Sequence, residues 1–396
     1  MGEGTKRTVI VGCGIGGPVL AMALQRAGIT STVYEARRGA EPEGGFLGVA
    51  PNGMNVLATL GLAAAVEELG FPSRGMVFVN ANDKMIGSID QTTDEARFGK
   101  AMIMIRRAEL HRALCDEAER RGIEIVFGAR CTAIDATDPR YVTATFEGAP
   151  AARADVLVGC DGIHSRVRNV AVDGAKPPTY TGLLNYGGYS RVPGLQLEVG
   201  WTRFLFGRRA FFGMLGAPDG QIWWFHNRSA ERAEGAPAGS TAIEAMLDAH
   251  TGDAAIVSDI LRNTTELGGP WPVFDMLSNP RWVNGRIALV GDSAHAVSPH
   301  AGQGASLAIE DALVVAKCLR DVDDPVVALS TYERLRRNRV EDIVKQGRRT
   351  GNMKATSGPI GEWFRDRMLP MFLKLGAKAQ ARNVSHRIDW DATVST

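Results

Sequence analysis

Two glycine-rich turns, one near the start of the 396-residue chain and one that begins at Gly291, carry the spacing with the clearest chemical meaning. The first, GCGIGG, begins at Gly12, and Gly14 and Gly17 complete the pattern G-x-G-x-x-G. The first glycine of such a pattern permits a tight turn, the second lets a pyrophosphate approach the backbone, and the third lets a helix pack on a strand. The turn therefore predicts a phosphate-binding site at a helix N-terminus.

The residues around this turn predict one strand-helix-strand unit. RTVIVG reads as a buried strand, GPVLAMALQRAG as a helix that ends at Gly28, and TSTVYEA as the next strand. Glu35 lies 35 − 12 = 23 residues beyond Gly12, where a carboxylate can accept hydrogen bonds from ribose hydroxyls. An acidic residue there disfavours a 2′-phosphate, so FAD or NAD is favoured over NADP. A purely structural tight turn is the alternative.

A second polar loop follows a predicted strand in the middle of the chain. GCDGIHSRVR places Asp161 at the end of the strand and then Ser165, Arg166 and Arg168. Basic residues near a dinucleotide site could hold its phosphates. A turn with solvated arginines explains the same residues equally well, so the segment alone decides nothing.

The second glycine-rich turn, GDSAHAVSPHAGQG, follows the predicted strand RIALV and leads into a helix. Asp292 follows the carboxyl end of this strand, where open α/β sheets bind ligands. Two glycine-led helix N-termini could hold the two ends of one long ligand. FAD is such a ligand, with its pyrophosphate at the first helix and its isoalloxazine at the second. The second helix dipole would favour the negative charge that collects at the flavin N1–C2=O edge.

Together, the three segments resemble the class A flavoprotein monooxygenases, the family of para-hydroxybenzoate hydroxylase, over roughly residues 5–320. That family has an N-terminal G-x-G-x-x-G, a D-G segment followed by S-x-x-R, and a G-D segment followed by P and G-x-G. Here the second and third patterns are matched by Asp161-Gly162 with Ser165 and Arg168, and by Gly291-Asp292 with Pro299, Gly302 and Gly304.

The resemblance implies roles for matched residues. Asp292 would bind the ribityl hydroxyls, and the backbone N–H groups of Ala305 and Ser306 would face N1 and O2 of the flavin. The family more often has asparagine where Ser306 stands. Arg107 matches the arginine that reaches the ribityl and pyrophosphate region, with Arg106 as the competing choice. Asp161 would contact FAD and the nicotinamide cofactor. The predicted FAD-binding residues are Gly12, Gly14, Gly17, Glu35, Arg37, Arg107, Asp161, Asp292, Pro299, Gly302, Gly304, Ala305 and Ser306.

The resemblance also implies a reaction. NADH or NADPH reduces FAD, O2 then forms a flavin C4a-hydroperoxide, and its distal oxygen hydroxylates an aromatic or polycyclic, phenol-like small molecule. Epoxidation, Baeyer–Villiger oxidation, dehydrogenation and a non-catalytic flavin sensor are the alternatives on the same fold. The sequence shows no second β-G-x-G-x-x-G-α-β-E unit, so it does not distinguish NADH from NADPH.

A closed apolar pocket is required to keep water from the oxygenating intermediate. Aromatic strands in the middle of the chain supply candidate lining residues, although alternating aromatics in a sheet are usually core. The candidates are Tyr186, Tyr189, Phe204, Phe206, Phe212, Met214, Trp224 and His226. No general base is identifiable, and His226 and Tyr186 are the only candidates.

The predicted fold is α/β: a Rossmann-like FAD-binding domain with a mainly parallel sheet, an inserted antiparallel substrate domain, and C-terminal helices. We assign residues 1–75, 103–175 and 269–345 to the FAD-binding domain, and residues 76–102 and 176–268 to the substrate domain. Residues 346–396 form a helical segment whose last dozen residues are expected to be a frayed tail.

The composition narrows the class of protein further. A net charge of +1 gives no general attraction to nucleic acid or membranes, and the sequence contains no apolar run of 18 residues. The five scattered cysteines favour a reduced, cytoplasmic setting. The histidines show no metal-binding pattern, so no metal site is predicted. We expect a monomer or homodimer.

Overall fold

The computed structural model describes residues 6–39, 45–172, 174–232, 234–276, 279–352 and 359–395. Its strands are β1 Arg7–Val11, β2 Thr30–Glu35, β3 Phe46–Val49, β4 Phe71–Pro72, β5 Gly75–Asn80, β6 Met85–Asp90, β7 Ile103–Arg106, β8 Glu124–Phe127, β9 Arg130–Asp135, β10 Val142–Glu147, β11 Ala152–Ala154, β12 Val156–Gly159, β13 Thr179–Ser190, β14 Trp201–Phe206, β15 Phe211–Gly216, β16 Ile222–Ser229, β17 Thr264–Asp275, β18 Val283–Asn284 and β19 Ile287–Leu289. Its helices are α1 Gly16–Arg26, α2 Pro51–Thr59, α3 Ala63–Leu69, α4 Asp94–Phe98, α5 Arg107–Arg120, α6 Arg166–Ala171, α7 Gly239–Ala249, α8 Ala255–Arg262, α9 Asp292–His295, α10 Gly304–Asp321, α11 Pro325–Asn352 and α12 Pro359–Val384, with a 3₁₀ turn at Pro299–Ala301.

A six-stranded sheet forms the first half of the architecture, in the order β18-β19-β12-β1-β2-β8. Its pairings are parallel except for the short β18–β19 pair at one edge. The apolar strands β1, β12 and β19, which the sequence analysis predicts to end in glycine turns, are adjacent. Because parallel strands end at the same edge, the three predicted motifs begin side by side.

A seven-stranded sheet forms the second half, in the order β17-β13-β16-β15-β14-β5-β6. All of its pairings are antiparallel except β14–β5. The turn between β15 and β16 contains the Pro218-Asp219-Gly220 hairpin signal. The early strands β5 and β6 join this sheet, as predicted, although almost a hundred residues separate β6 from β13. The predicted α/β class with a mainly parallel sheet and a separate antiparallel sheet is confirmed.

The C-terminal residues differ from the expected frayed tail. Trp390 is buried, and Arg26 and Arg320 lie over its ring. The Lys317 ammonium donates to the backbone oxygens of residues 389, 390 and 392. These contacts hold the segment after α12 against α10, which carries both Lys317 and Arg320.

Candidate active site

One cavity of about 1430 Å³ connects the two halves of the molecule. It is lined at one end by the turn before α1, in the middle by the turn before α10, and at the other end by the face of the seven-stranded sheet. Helices α11 and α12 also contribute to its wall. Sites for one small molecule are usually about 300–1,000 Å³. The cavity is therefore large enough for two bound molecules.

The three glycines of the G-x-G-x-x-G pattern differ in the space around them. Gly12 has φ +103°, and a side chain there would place Cβ 2.5 Å from the Cys160 oxygen. A Cβ at Gly17 would lie 2.1 Å from the Gly12 oxygen, so only glycine lets α1 pack on β1. By contrast, a Cβ at Gly14 would meet nothing within 4 Å, and Gly14 lines the cavity. The open space beside Gly14 fits the predicted approach of a pyrophosphate.

Glu35 lies beside this turn, at the end of β2. Its Oε2 accepts a hydrogen bond of 2.7 Å from the backbone N of Cys13, and its Oε1 accepts one of 2.9 Å from the backbone N of Arg37. A carboxylate oxygen can accept two hydrogen bonds, so each keeps capacity for a ribose hydroxyl. Glu35 thus also orients the glycine turn, which the sequence analysis missed.

Asp292 lines the middle of the cavity. Its side chain is open to the cavity and has no hydrogen-bond partner within the described part of the chain. The surrounding protein raises the pKa of Asp292, and His295 and Arg107 oppose this shift. A carboxylate that is exposed to the cavity and has free acceptors is suited to bind hydroxyl groups. Pro299, Gly302, Gly304 and Ala305 line the same part of the cavity.

Ser306 is placed differently from these neighbours. It is fully buried, and its Oγ accepts a hydrogen bond of 3.0 Å from the backbone N of Ala50, at the start of α2. A Cβ at Gly53 would lie 2.8 Å from that oxygen. The Ser306 side chain therefore fastens α10 to α2 and does not line the cavity, so a contact with the flavin there is left to the backbone alone.

The structure separates the two candidate arginines. Arg107 lines the cavity at the start of α5. Arg106 lies over the ring of Tyr189 at 3.7 Å from its centroid and pairs with Glu266 at 3.2 Å. The Arg106 guanidinium is thus held against the antiparallel sheet, and of the two arginines only Arg107 lines the cavity.

The middle motif follows β12, which lies between β1 and β19 in the six-stranded sheet. The Asp161 carboxylate accepts hydrogen bonds from Ser165 Oγ (2.5 Å) and from the backbone N of Arg166 (2.7 Å). Burial raises the pKa of Asp161, and these bonds oppose that shift. Asp161 therefore caps α6, while its neighbours Cys160 and Gly162 line the cavity.

Arg168 fits neither alternative offered by the sequence. It is fully buried, and its guanidinium donates to the backbone oxygens of Ser293 (2.9 Å) and Ile163 (2.6 Å). It is neither a phosphate ligand nor a solvated arginine in this structure. Arg168 holds the second glycine-rich turn against α6.

A buried ion cluster behind that turn was missed by sequence reasoning. Asp311 on α10 accepts hydrogen bonds from the backbone N of Gly291 (3.0 Å), from His295 Nε2 (2.5 Å) and from Arg336 Nε (2.7 Å). Although burial alone would raise it, His295 and Arg336 hold the pKa of Asp311 below its usual value. The cluster fixes the backbone next to Asp292. An acidic residue within the apolar stretch of α10 was the available signal.

The far end of the cavity is one face of the seven-stranded sheet. A continuous row crosses the sheet through the register pairs Phe206–Phe211, Phe211–Asn227, Asn227–Asn185 and Asn185–Trp271. In the next row, Phe225 packs where a Cβ on Gly213 would lie only 2.2 Å from its ring. Glycines thus make room for the rings that face the cavity.

Of the eight predicted lining residues, four line the cavity and four do not. Those that do are Tyr186, Phe204, Phe206 and Trp224, and those that do not are Tyr189, Phe212, Met214 and His226. Phe78, Phe211, Phe225 and Trp271 were missed. Side chains of consecutive strand residues point to opposite faces, so their placement depended on a register that the sequence did not provide.

The two candidate bases are not positioned to act on a cavity ligand. His226 is fully buried, and its Nδ1 lies 3.1 Å from Nε2 of His250, whose Nδ1 is 2.7 Å from Asp253. Burial and His250 lower the pKa of His226 well below its usual value. Tyr186 reaches the cavity wall, but its hydroxyl donates to the Pro237 oxygen at 2.9 Å. The polar groups that face the cavity here are the Asn185 and Asn227 amides, and Asn227 donates to Asn185.

Among the described residues, one group of histidine, cysteine and acidic side chains has metal-like spacing: Cys13, His111 and Cys115, with ligand atoms within 4.8 Å of one another. None of the described helices combines the length and apolar character needed to cross a membrane.

Comparison with known proteins identifies the class. Residues 5–347 match the family of the FAD binding domain, and the chain belongs to the class A FAD-dependent aromatic monooxygenases. It is similar to the 3-amino-4-hydroxybenzoate 2-monooxygenase PtmB3 of Streptomyces platensis, with 32% identity over 92% of both chains. It is also similar to the aurachin C monooxygenase/isomerase of Stigmatella aurantiaca, with 29% identity over 94% of this chain and 96% of that one.

A solved structure, Klebsiella pneumoniae HpxO complexed with FAD and uric acid, superposes with a TM-score of 0.86 at 25% identity over 97% of both chains. The chain is thus an FAD-dependent monooxygenase, and FAD is its cofactor. The residues present fit this cofactor, because Gly14, Arg107 and Asp292 line one cavity and Glu35 lies beside the first glycine turn, bonded to the backbone N of Cys13.

Proposed function

We propose that this enzyme uses NADH or NADPH and O2 to hydroxylate an aromatic small molecule that binds against the seven-stranded sheet. The observation that carries the proposal is the single cavity that runs from Gly14, past Asp292, to Phe225. When bound, FAD supplies the chemistry of accepting a hydride and delivering one oxygen atom from O2. The protein then has to bind the cofactor and the substrate, orient them toward each other, and exclude water.

The chain's own residues support these three tasks. We propose that Gly12, Gly14 and Gly17 hold the pyrophosphate, that Glu35 binds the adenosine ribose, and that Asp292 and Arg107 hold the ribityl region. The N-terminus of α10, at Gly304 and Ala305, would favour negative charge on the flavin edge. We assign 1–75, 103–175 and 269–345 to the FAD-binding domain, and 76–102 and 176–268 to the substrate domain, except that β17 continues the seven-stranded sheet to Asp275.

The sheet end of the cavity supports an aromatic substrate. Rings of Phe204, Phe206, Phe211 and Phe225 lie near one another, with centroid separations of 5.1–6.1 Å. Such a wall excludes water and stacks against a planar ring. The Asn185 and Asn227 amides supply hydrogen bonding at one end of this wall, which can orient a ring oxygen or nitrogen toward the flavin.

The proposal is tested by measuring NADH and NADPH oxidation by the FAD-loaded enzyme with a panel of phenolic, aminohydroxybenzoic, quinoline and purine compounds. We expect at least one compound to stimulate oxidation and to yield a product heavier by one oxygen atom, labelled when ¹⁸O2 is supplied. Stimulated oxidation with a product lacking the label would contradict oxygenation and favour dehydrogenation.

A further inference from the structure

Two cysteines and a histidine meet directly behind the first glycine turn, away from the chemistry proposed above. Cys13 is the second residue of that turn, and Cys115 lies on α5. Their sulfur atoms are 3.5 Å apart, and both residues are buried. His111 precedes Cys115 by one helical turn, so both side chains lie on the same face of α5.

The hydrogen-bond distances show which ring nitrogen of His111 carries the proton. His111 Nε2 lies 2.5 Å from the Cys13 backbone oxygen and 3.4 Å from Cys115 Sγ. A carbonyl oxygen only accepts, so Nε2 carries the proton and points it toward the oxygen and the sulfur. Cys115 Sγ thus lies within hydrogen-bond distance of this N–H on one side and of Cys13 Sγ on the other.

This arrangement favours a thiolate at Cys115. The hydrogen bond from Cys13, aided by His111, lowers the pKa of Cys115 despite its burial, and the same pairing raises the pKa of Cys13. A thiolate is the reactive form of cysteine toward oxidants and other thiols. The geometry therefore provides an attacking sulfur and a resolving sulfur in van der Waals contact.

We propose that Cys13 and Cys115 form a reversible redox site that couples the oxidation of the enzyme to its affinity for FAD. The oxidant is hydrogen peroxide. The Cys115 thiolate attacks one peroxide oxygen: an S–O bond forms, the O–O bond breaks, and hydroxide leaves. The Cys13 sulfur then attacks the Cys115 sulfur: the S–S bond forms, the S–O bond breaks, and the departing hydroxide leaves as water with the Cys13 proton. The hydroxide from the first step takes up the proton that the Cys115 thiol releases on forming the thiolate, so in sum two thiols lose two electrons and two protons, and peroxide is reduced to two waters.

The coupling follows from the position of Cys13. A disulfide requires the sulfurs to be about 2.05 Å apart, so the gap of 3.5 Å must close by about 1.5 Å. The backbone N of Cys13 donates to Glu35, and the adjacent Gly14 borders the cavity. A shift of Cys13 toward α5 therefore displaces the turn on which the cofactor phosphates bind.

A metal ion is the competing use of the same residues. Cysteine thiolates and imidazole nitrogens are zinc ligands, and their atoms lie close enough together. However, a metal requires the lone pair of a histidine nitrogen, and the Cys13 oxygen holds the proton on Nε2. The geometry thus favours the thiol pair over the metal.

The experiment treats the purified, FAD-loaded enzyme with stoichiometric hydrogen peroxide and compares it with Cys115→Ser and Cys131→Ser. Cys131 is equally buried but has no cysteine partner within the described residues, so it is the matched control. Peptide mass spectrometry locates any disulfide, and flavin fluorescence measures FAD affinity. Both measurements are independent of the reaction that the enzyme catalyses.

We expect a Cys13–Cys115 disulfide that dithiothreitol reverses, and FAD affinity lower by about tenfold or more, as for the loss of a hydrogen bond to a charged group. The Cys131 variant should respond like the parent, and the Cys115 variant should keep its FAD affinity. A persistent pair of free thiols after peroxide, or a disulfide without a change in FAD affinity, would overturn the proposal. So would stoichiometric binding of Cd²⁺ by the reduced enzyme that His111→Ala abolishes, since it would identify a metal site.

Discussion

The two ends of the cavity are built in different ways. The cofactor end is made of backbone: glycine turns, helix N-termini and a few carboxylates close to the chain. The substrate end is made of side chains on a sheet, with Phe204, Phe225 and the Asn185–Asn227 pair facing the cavity. A backbone site is encoded within short stretches of sequence, whereas a sheet face is encoded by the pairing of distant strands. The first should therefore tolerate few substitutions, and the second should tolerate many and change specificity.

The most damaging change should be Gly17→Ala at the cofactor end. Its Cβ would lie 2.1 Å from the Gly12 oxygen, so α1 or the turn must move. We expect a loss of about 3 kcal/mol in the free energy of unfolding and about 100-fold weaker FAD binding, as for the loss of two hydrogen bonds to a charged phosphate. Chemical denaturation and flavin fluorescence measure both.

Gly39→Ala is the matched control, because a Cβ there would meet no atom within 4 Å. Its stability and FAD content should equal those of the parent. If Gly17→Ala also bound FAD normally, the close approach between α1 and β1 would not be required for FAD binding.

Asp292→Ala should have the next largest effect. The side chain lines the cavity and makes no hydrogen bond to the described residues, so its removal should take away acceptors for the ribityl hydroxyls and leave the fold intact. We expect FAD affinity to fall by about tenfold, as for the loss of hydrogen bonds to a charged group. Asp292→Asn, which keeps one acceptor oxygen, should lie between the parent and the alanine variant. Full flavin occupancy in Asp292→Ala at limiting FAD would reject the assignment.

Particular residues show how far the sequence could predict this molecule. The roles of Gly12, Gly14 and Gly17 followed from local spacing, because turn geometry depends on a few neighbouring residues. The choice between Arg106 and Arg107 did not, because it depends on Tyr189, a residue in the other sheet. Asp311 was missed because its partners His295 and Arg336 are close only in the folded chain. On the antiparallel sheet, a composition rich in aromatics predicted a pocket wall but not which alternate residues form it.

Two consecutive residues of β16 test that last point. Phe225 lines the cavity, whereas His226 lies on the opposite face of the sheet. Phe225→Ala removes part of the apolar wall, so we expect KM for the aromatic substrate to rise by about fivefold, in keeping with partial loss of a buried ring. FAD affinity should not change. His226→Gln should leave KM and the pH profile of kcat/KM unaltered, whereas loss of the low-pH limb of that profile would restore His226 as a base.

The smallest effect concerns pH and the His226 side chain itself. Burial, His250 and Arg228 lower the pKa of His226, so it is neutral in the folded protein, whereas the unfolded chain takes up a proton below its usual pKa. The stability it contributes is thus fully present above about pH 6.5 and is lost as the pH falls toward the folded value, by up to about 1.4 kcal/mol per pH unit.

Asp253, beyond His250, and Tyr186 are the other titratable groups near this ring, and the substitution leaves both in place. Denaturation at pH 7.5 and at pH 5.5 should therefore show a smaller decrease in the free energy of unfolding for His226→Gln than for the parent, with Asn227→Gln, on the cavity face, keeping the parent's decrease. An equal decrease in all three proteins would mean that His226 takes up its proton in the folded state, and that the buried face of this sheet is as open to water as the cavity face.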